Sequence, residues 1–538
     1  MLEMHKLLVA NRGEIALRIF RACAEEALAT VAVAAPDDHG SLHARSADET
    51  VEIASYLDPA EHVRAACESG ADAVHPGYGF LSESAELAEA VLAAGLTWIG
   101  PPPDALRAGG DKLTAKETAL AAGVPVLPSG TPDEVGFPLL VKAAAGGGGR
   151  GMRIVRSAEQ LDEAVDAARR EAAAAFGDDT VFFERYLERP RHIEIQVLAD
   201  THGNVVSLGE RECSIQRRHQ KVLEESPSAA LDPELRARMS DAAVAFARAI
   251  GYVSAGTAEF MLDGRDFYFL ELNARIQVEH PVTELVTGVD IVREQLRIAR
   301  GAELATTRHE PLGHAVEVRL YAEDPRTFLP QAGSIERLRL PDAIRVDAGV
   351  AEGDEIGTSY DPMIAKLIAY GQTRSDAYGA LGRALRETEV GGVTTNLPFL
   401  RWLAAQPLVR EGRVTTAFLT EHPPLSESGP LAPGAPFGGA WRLNLPAPPP
   451  RAVPVVDDTA TASAAAEQAT LTAPMPGTVI KVLVEAGARV AARQPLLVLE
   501  AMKMETPLVS PYDATVRAVH VSEGDRVAGG AVLVELDE

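Results

Sequence analysis

The sequence predicts a mixed α/β and α+β protein built in succession from a parallel-sheet unit, a largely antiparallel region and a small all-β unit. Three observations predict this. Short apolar runs alternate with amphipathic stretches near the N-terminus, a strong hairpin signal lies mid-chain, and the final segment repeats itself. At about 150 residues per domain, 538 residues suggest three or four domains.

The run KLLVA (6–10) reads as a buried strand, and EIALRIFRACAEE (14–26) as a helix with Ile15, Ile19 and Ala22 on one stripe. TVAVAA (30–35), ADAVH (71–75) and TWIG (97–100) repeat the theme with helical patterns between them. Such alternation implies a parallel sheet covered on both faces. The first turn carries Asn11-Arg12-Gly13 rather than G-x-G-x-x-G, so a dinucleotide site is not supported. After Ala145 antiparallel signals dominate, including the hairpin AEFML-DGRD-FYFLELN with Asp263-Gly264 as its expected turn.

Beyond Phe418 the composition shifts to Pro, Ala, Gly and Ser, as in APPPRAVPVV and TATASAAAEQ, which leaves little to bury. An extended 446–469 could reach on the order of 70 Å at ~3.1 Å per residue. This stretch is either a bland spacer or a tether for something that moves. In the last segment Pro474, Thr478, Val479, Val482, Gly487, Arg489 and Val490 recur as Pro511, Thr515, Val516, Val519, Gly524, Arg526 and Val527 at one constant offset. Two similar β-halves packed face to face are expected, joined by a hairpin tip at 501–505 that carries Lys503 between Met502 and Met504.

Composition narrows the function. The chain is 46% hydrophobic and 24% charged, with 77 acidic against 51 basic residues and a formal charge of −26. A field of that sign repels nucleic acid and anionic lipid. Three scattered cysteines (Cys23, Cys67, Cys213) argue against a disulfide framework or a Cys-rich zinc site. The N-terminal run is interrupted by His5, Lys6 and Arg12, and no 18-residue apolar run occurs, so neither a secretory signal nor a membrane span is expected and the cytoplasm is the default.

Four motifs carry chemistry. A strand at 137–143, which carries Lys142, runs into AAGGGGRGM (144–152). Serial glycines let backbone N–H groups approach phosphate oxygens, and Lys142 and Arg150 add charge; the alternative is an inert flexible loop. Without G-K-[ST] it is not a Walker A loop. In the hairpin, Glu271 and Asn273 share one strand face, and Glu259 lies nearly opposite Glu271. Like charges paired across strands are unfavourable unless a cation joins them, so these hard oxygen donors suit Mg²⁺ or Mn²⁺ beside phosphates; a solvated acidic face is the alternative. RIQVEHP (275–281) and QRRHQK (216–221) pack charge densely at the ends of strand-like runs.

The tip EAMKME (500–505), with APMPG (473–477) upstream, resembles the attachment sequence of biotin carrier domains, which have a biotinyl/lipoyl-like barrel-sandwich fold. The resemblance implies biotinylation at Lys503 by a biotin protein ligase. The segments ANRGEIALR, HPGYGFLSE, GDK, GGGGRG, RHIEIQV, QRRHQK, RIQVEHP and SYDPMIAKL together resemble the biotin carboxylase component of biotin-dependent carboxylases, over about residues 1–420. That implies an ATP-grasp fold. The domains expected are a pre-ATP-grasp unit (1–115), an ATP-grasp region with a flap (116–312), a C-terminal carboxylase domain (313–422), a linker (423–469) and a carrier (470–538).

Carried over by motif, the resemblance places ATP against Lys112, Lys142, Gly148, Gly149, Glu184, Arg185, Tyr186, Leu187, His192, Gln216, His219 and Met261. It makes Glu259, Glu271 and Asn273 the metal ligands, and Lys221, Arg275, Gln277 and Val278 the bicarbonate pocket. Glu279 is implied as general base, and Arg345 as the group beside the biotin ureido ring. Bicarbonate is a poor nucleophile and its attack on the γ-phosphoryl group gathers negative charge, so positioning and cations are the main resource. The carboxyphosphate formed would yield CO₂ and phosphate, the latter taking the biotin N1 proton, and flap closure over 146–151 would exclude water.

Three departures stand out: a short stretch between Pro128 and Phe137, Ala417 where some relatives have a histidine near the nucleotide, and a carrier that lacks a protruding insertion. The linker is too short for an extra subunit-docking domain. The expected protein is thus the α subunit of an acetyl- or propionyl-CoA carboxylase, a hetero-oligomer with a separate carboxyltransferase (β) subunit and a carboxylase part that can dimerise. An ATP-grasp ligase joining another carboxylate to an amine, or a non-catalytic biotin carrier, are the rival readings.

Overall fold

The structure is a computed structural model; it describes residues 3–143, 152–176, 179–217, 220–304, 310–424, 470–473, 477–501, 504–527 and 530–537. The N-terminal apolar runs form a five-stranded parallel sheet in the order Glu49–Glu52, Ala29–Ala34, Lys6–Val9, Ala73–His75, Thr97–Trp98. Leu7, Leu8 and Val9 are all buried, as continuous apolar strands require when helices cover both faces. The helix Gly13–Glu25 buries Ile15, Ile19 and Ala22, the expected stripe. In the first turn the Asn11 side chain donates to Pro76 O and Tyr78 O, each at 2.7 Å, and so ties two neighbouring strand ends together.

The middle of the chain builds an eight-stranded antiparallel sheet. Its order is Asp266–Asn273, Ser254–Asp263, Arg191–Ala199, Val205–Arg217, Gln220–Ser226, His314–Tyr321, Met363–Gly371, Arg345–Ala348. The hairpin forms with Glu259 directly opposite Glu271. Its turn differs by one residue from the expectation: Asp263 pairs with Asp266, so Gly264-Arg265 is the two-residue loop. Gly264 takes φ +61 there, a conformation that glycine adopts without strain. A smaller antiparallel sheet contains Ser129–Gly130, Val181–Arg185, Leu139–Ala143 and Arg153–Val155. The strand that carries Lys142 starts at Leu139 rather than at residue 137, since Pro138 has no N–H to give a ladder. The short stretch before it keeps one helical turn, Pro132–Val135, closed by a Thr131/Glu134 capping box.

The C-terminal segment forms two four-stranded antiparallel sheets. The halves pack face to face, but each sheet also takes a strand from the other half. Thr478 pairs with Arg526, and the repeat-equivalent Thr515 pairs with Arg489. Val479 and Val516, again equivalent, are buried in the shared core with Leu497, Leu499 and Leu533. The strands Pro495–Ala501 and Met504–Val509 pair out to Ala501↔Met504. Lys503, the glycine-rich stretch with Gly148 and Gly149, His219, and residues 425–469 of the expected linker lie outside the described residues.

Candidate active site

One face of the large antiparallel sheet collects charge. Glu194, in the strand Arg191–Ala199, stands opposite Glu259, which itself stands opposite Glu271. A row of carboxylates is unstable unless cations lie among them. Lys221, from Gln220–Ser226, provides one: Nζ donates to Glu194 Oε2, to Glu259 Oε1 at 2.7 Å and to Glu279 Oε1 at 2.7 Å. Glu194 is also held by Arg211, whose guanidinium reaches Gln196 Oε1 at 2.7 Å. Burial opposes charge on Lys221, but the three carboxylates outweigh it and hold its pKa well above the ordinary lysine value. Burial likewise penalises Glu279 and Glu259, yet Lys221 drives both well below the usual carboxylate range, with Arg319 and Arg211 adding to the effect at Glu279 and His192 at Glu259. Both carboxylates are therefore ionised in the fold.

Glu279 is the residue before the helix His280–Thr287 and is fully buried. Its second oxygen accepts from Arg319 Nη2 at 2.9 Å. Gln277 Nε2 donates to Glu259 Oε1 at 3.1 Å, and Asn273 Nδ2 donates to the same oxygen at 2.8 Å. Arg275 Nη2 reaches Asn273 Oδ1 at 3.0 Å, and its Nε lies 3.2 Å from Glu83 Oε2, a residue of the HPGYGFLSE run. Val278 presents its carbonyl to Lys366 Nζ at 2.9 Å. Lys221, Glu259, Asn273, Arg275, Gln277 and Glu279 thus converge through direct hydrogen bonds, from three separate stretches of chain.

A second group lies on the smaller sheet. Lys142 Nζ donates to Glu184 Oε2 at 2.5 Å, and Lys116 pairs with the other oxygen of the same carboxylate. Glu184 is buried, whereas Arg185 next to it is exposed and Tyr186 half-buried. His192 Nε2 lies 3.0 Å from Glu259 Oε2, and Met261 is its cross-strand neighbour. Gln216 is the cross-strand neighbour of Lys221 and donates to Cys213 O at 2.8 Å. Lys112 opens the helix Lys112–Ala121 behind the N-cap Asp111. Thr416, before Ala417, donates its N–H to Pro190 O at 2.9 Å. Arg345 stands apart from the first group: it donates to Glu284 Oε2 at 2.7 Å and to Asp347 Oδ2 at 2.8 Å.

Glu259, Glu271 and Asn273 fit a hard divalent cation, with two ionisable carboxylates in facing register and an amide on the adjoining position. His192, Glu194 and Glu259 also bring ligand atoms within 4.8 Å of one another. Glu194, Lys116, Glu284, Asp347 and Arg319 were not singled out from the sequence. Glu194 gave no signal: in Ile193-Glu194-Ile195-Gln196-Val197 it takes the polar place of an alternating strand, which reads as a solvated face.

The comparisons agree with this architecture. Residues 3–106 match the family model "Biotin carboxylase, N-terminal domain", 111–307 "Carbamoyl-phosphate synthase L chain, ATP binding domain", 317–421 "Biotin carboxylase C-terminal domain" and 469–536 "Biotin-requiring enzyme". A biotin carboxylase of Halalkalibacterium halodurans is 47% identical over 440 residues, 78% of this chain and 97% of that protein. The propionyl-CoA carboxylase alpha chain of Ruegeria pomeroyi is 46% identical over 464 residues, 78% of this chain and 68% of that one. Among solved structures, the biotin carboxylase domain dimer of Hydrogenobacter thermophilus 2-oxoglutarate carboxylase, in complex with MgADP, ADP and bicarbonate, superposes with a TM-score of 0.75 at 43% identity, covering 79% of this chain and 98% of that chain. The ATP-grasp carboxylase fold and the biotin-type β-domain define a biotin-dependent ligase. The chain belongs to the biotin carboxylase family; it is an ATP-dependent ligase whose last segment is a biotin-requiring carrier domain. Among the described residues no helix is long and apolar enough to cross a membrane.

Proposed function

We propose that this chain carboxylates a biotin carried on its own Lys503, using bicarbonate and ATP in the cytoplasm, and passes the carboxyl group to a separate carboxyltransferase subunit that acts on acetyl- or propionyl-CoA. The observation that carries the reading is Lys221, held between Glu259 and Glu279 beside Arg275 and Gln277. A buried cation flanked by an ionised carboxylate is what bicarbonate needs in order to be bound and deprotonated together.

In this reading Lys221, Arg275, Gln277 and the Val278 backbone hold bicarbonate. Glu279 takes its proton at Oε1, the oxygen that faces Lys221. Lys142, with Lys112, His192, Gln216, His219, Met261 and residues 184–187, takes the nucleotide, and Gly148 and Gly149 cover its phosphates. Glu259, Glu271 and Asn273 would hold Mg²⁺, which the H. thermophilus structure contains with ADP; bound there, it neutralises phosphate charge. Arg345 offers a fixed positive group to the oxygen of the biotin ureido ring. The five segments 1–115, 116–312, 313–422, 423–469 and 470–538 divide the labour, and the carboxylase part pairs as a dimer.

The acyl-CoA assignment rests on the R. pomeroyi relative, an alpha chain by name. Biotin protein ligase is the expected modifying partner. The test is bicarbonate-dependent ATP hydrolysis by the full chain, stimulated by free biotin. Glu279→Gln should abolish it while ATP still binds, and an active variant would remove Glu279 from the base role. Purification of the native complex and assay with acetyl- and propionyl-CoA checks the acceptor.

A further inference from the structure

Behind Glu279 lies a pair of acids that the proposed chemistry does not use. Glu224 and Glu317 are cross-strand neighbours between Gln220–Ser226 and His314–Tyr321, and both are fully buried. Directly opposite residues hold their Cβ atoms about 4.5–5.5 Å apart. Glu224 Oε1 takes Arg319 Nε at 2.7 Å and Nη2 at 2.6 Å. Among the described residues no group donates to Glu224 Oε2 or to either oxygen of Glu317. Two buried carboxylates side by side, with three unpaired oxygens, cannot both ionise. One proton placed between them makes an O–H···O⁻ bond that gives each acid a partner and leaves one Glu317 oxygen without one.

We infer that Glu224 and Glu317 share one proton as a buried acid pair, and that Arg319 couples this pair to Glu279, making Glu224 and Arg319 positioning residues for the base. The inference rests on Glu279 being the base. Arg319 Nη2 faces Glu224 and Glu279 together, so its charge is divided between them. When the pair takes a second proton, Arg319 serves Glu279 alone and the base weakens. Burial pushes the Glu224 carboxyl up to about 7, against the pull of Arg319, and burial keeps Glu317 far above the usual range, against Lys366. The other titratable or charged groups that face the network are Lys221 on the strand of Glu224, Tyr321 on that of Glu317, Lys366 opposite Arg319, and Arg211 and Cys213 on Val205–Arg217; burial keeps Tyr321 and Cys213 neutral. Glu14 and Asp347 also face Lys366, at 3.1 and 3.8 Å from its Nζ.

The test uses the full chain. kcat/KM for bicarbonate against pH should show an acid limb near neutrality in the parent. In Glu224→Gln that limb should vanish and the rate stay on a plateau about three- to tenfold lower, with KM for ATP unchanged. Arg319→Lys, a point charge unable to bridge both acids, should lose the limb too, at a lowered melting temperature because one buried acid loses its partner. Infrared spectra above neutral pH should show a protonated-carboxyl band that Glu317→Gln removes and Glu224→Gln shifts. A limb and rate unaltered by Glu224→Gln, or no such band in the parent, overturns the inference. If Glu279→Gln stays active, the base assignment fails instead, and the infrared band still decides the acid pair.

Discussion

Arg345 and Glu284 are joined at 2.7 Å, from Nη1 to Oε2, and the other oxygen of Glu284 takes Arg18 Nη2 at 2.8 Å. The pair links the last strand of the large sheet to the helix that begins just after Glu279. Burial disfavours the Arg345 charge, but Asp347 and Glu284 more than restore it, so the guanidinium stays positive where the ureido oxygen is expected. Arg345→Ala should leave ATP binding intact and lower biotin carboxylation by about 10²–10³-fold, the usual effect of losing one donor at a developing oxyanion. Nucleotide titration beside a free-biotin assay measures both. Normal carboxylation by this variant would remove Arg345 from the site.

Lys221 donates to three carboxylates at once, so its loss should be felt in the fold as well as in the chemistry. Lys221→Met leaves Glu194, Glu259 and Glu279 without their shared cation, and removal of one partner from a buried ionic group costs about 3–5 kcal/mol. Urea denaturation should show that loss, and bicarbonate-dependent ATP hydrolysis should disappear. Adding Glu194→Gln should return part of the stability without the activity.

Acid should destabilise the protein through histidines before it does so through carboxylates. Burial holds His75 and His43 down to about 4, although Gln295 and Asp38 respectively favour the charged forms. His75 is fixed as the neutral ring: Nδ1 accepts from Gly77 N–H at 3.0 Å, which leaves the Nε2 proton for Gln295 Oε1 at 3.2 Å. The unfolded chain binds protons near 6.5 that the fold refuses, so stability is complete above that pH and falls as pH drops from 6.5 towards 4. Each ring is worth about 3 kcal/mol across that window, at 1.36 kcal/mol per pKa unit. Glu224, pushed up to about 7 by burial, acts with the opposite sign in the same window, so the histidine effect is read as a difference. Between pH 7.5 and 5 the urea midpoint of the parent should fall further than that of His75→Gln, whereas Asp38, held low by Arg12 against its burial, adds its own loss only in stronger acid.

Strands and their faces were legible because period-two alternation and an Asp-Gly signal are local. Glu259 nearly opposite Glu271 was legible from the turn only to within a residue: counting from the Asp263–Asp266 pair sets Glu259 against Leu270, and a β-bulge between Glu259 and Phe260 brings Glu271 opposite instead. Lys221, Glu259 and Glu279 were legible as motifs. Their mutual contacts were not, since residues 194, 221, 259 and 279 meet only once the strand order is known. For the same reason Arg319 and Glu224 stayed hidden: alternation tells which face a side chain takes but not which strand lies beside it. Glu184, expected at the nucleotide, binds Lys142 and Lys116 here, a pairing between the small sheet and a helix that no local pattern encodes. In the carrier domain the repeat offset was plain, but the exchange of Arg489–Val490 and Arg526–Val527 between sheets depends on how the two halves dock.

One polypeptide is expected both to carry the vitamin and to charge it. Full-length protein made beside a biotin protein ligase, then incubated with ATP, Mg²⁺ and radiolabelled bicarbonate, should yield label on the peptide that contains Lys503, only when ATP is present. An unmodified Lys503, or a biotinylated Lys503 that never takes up label, would contradict it.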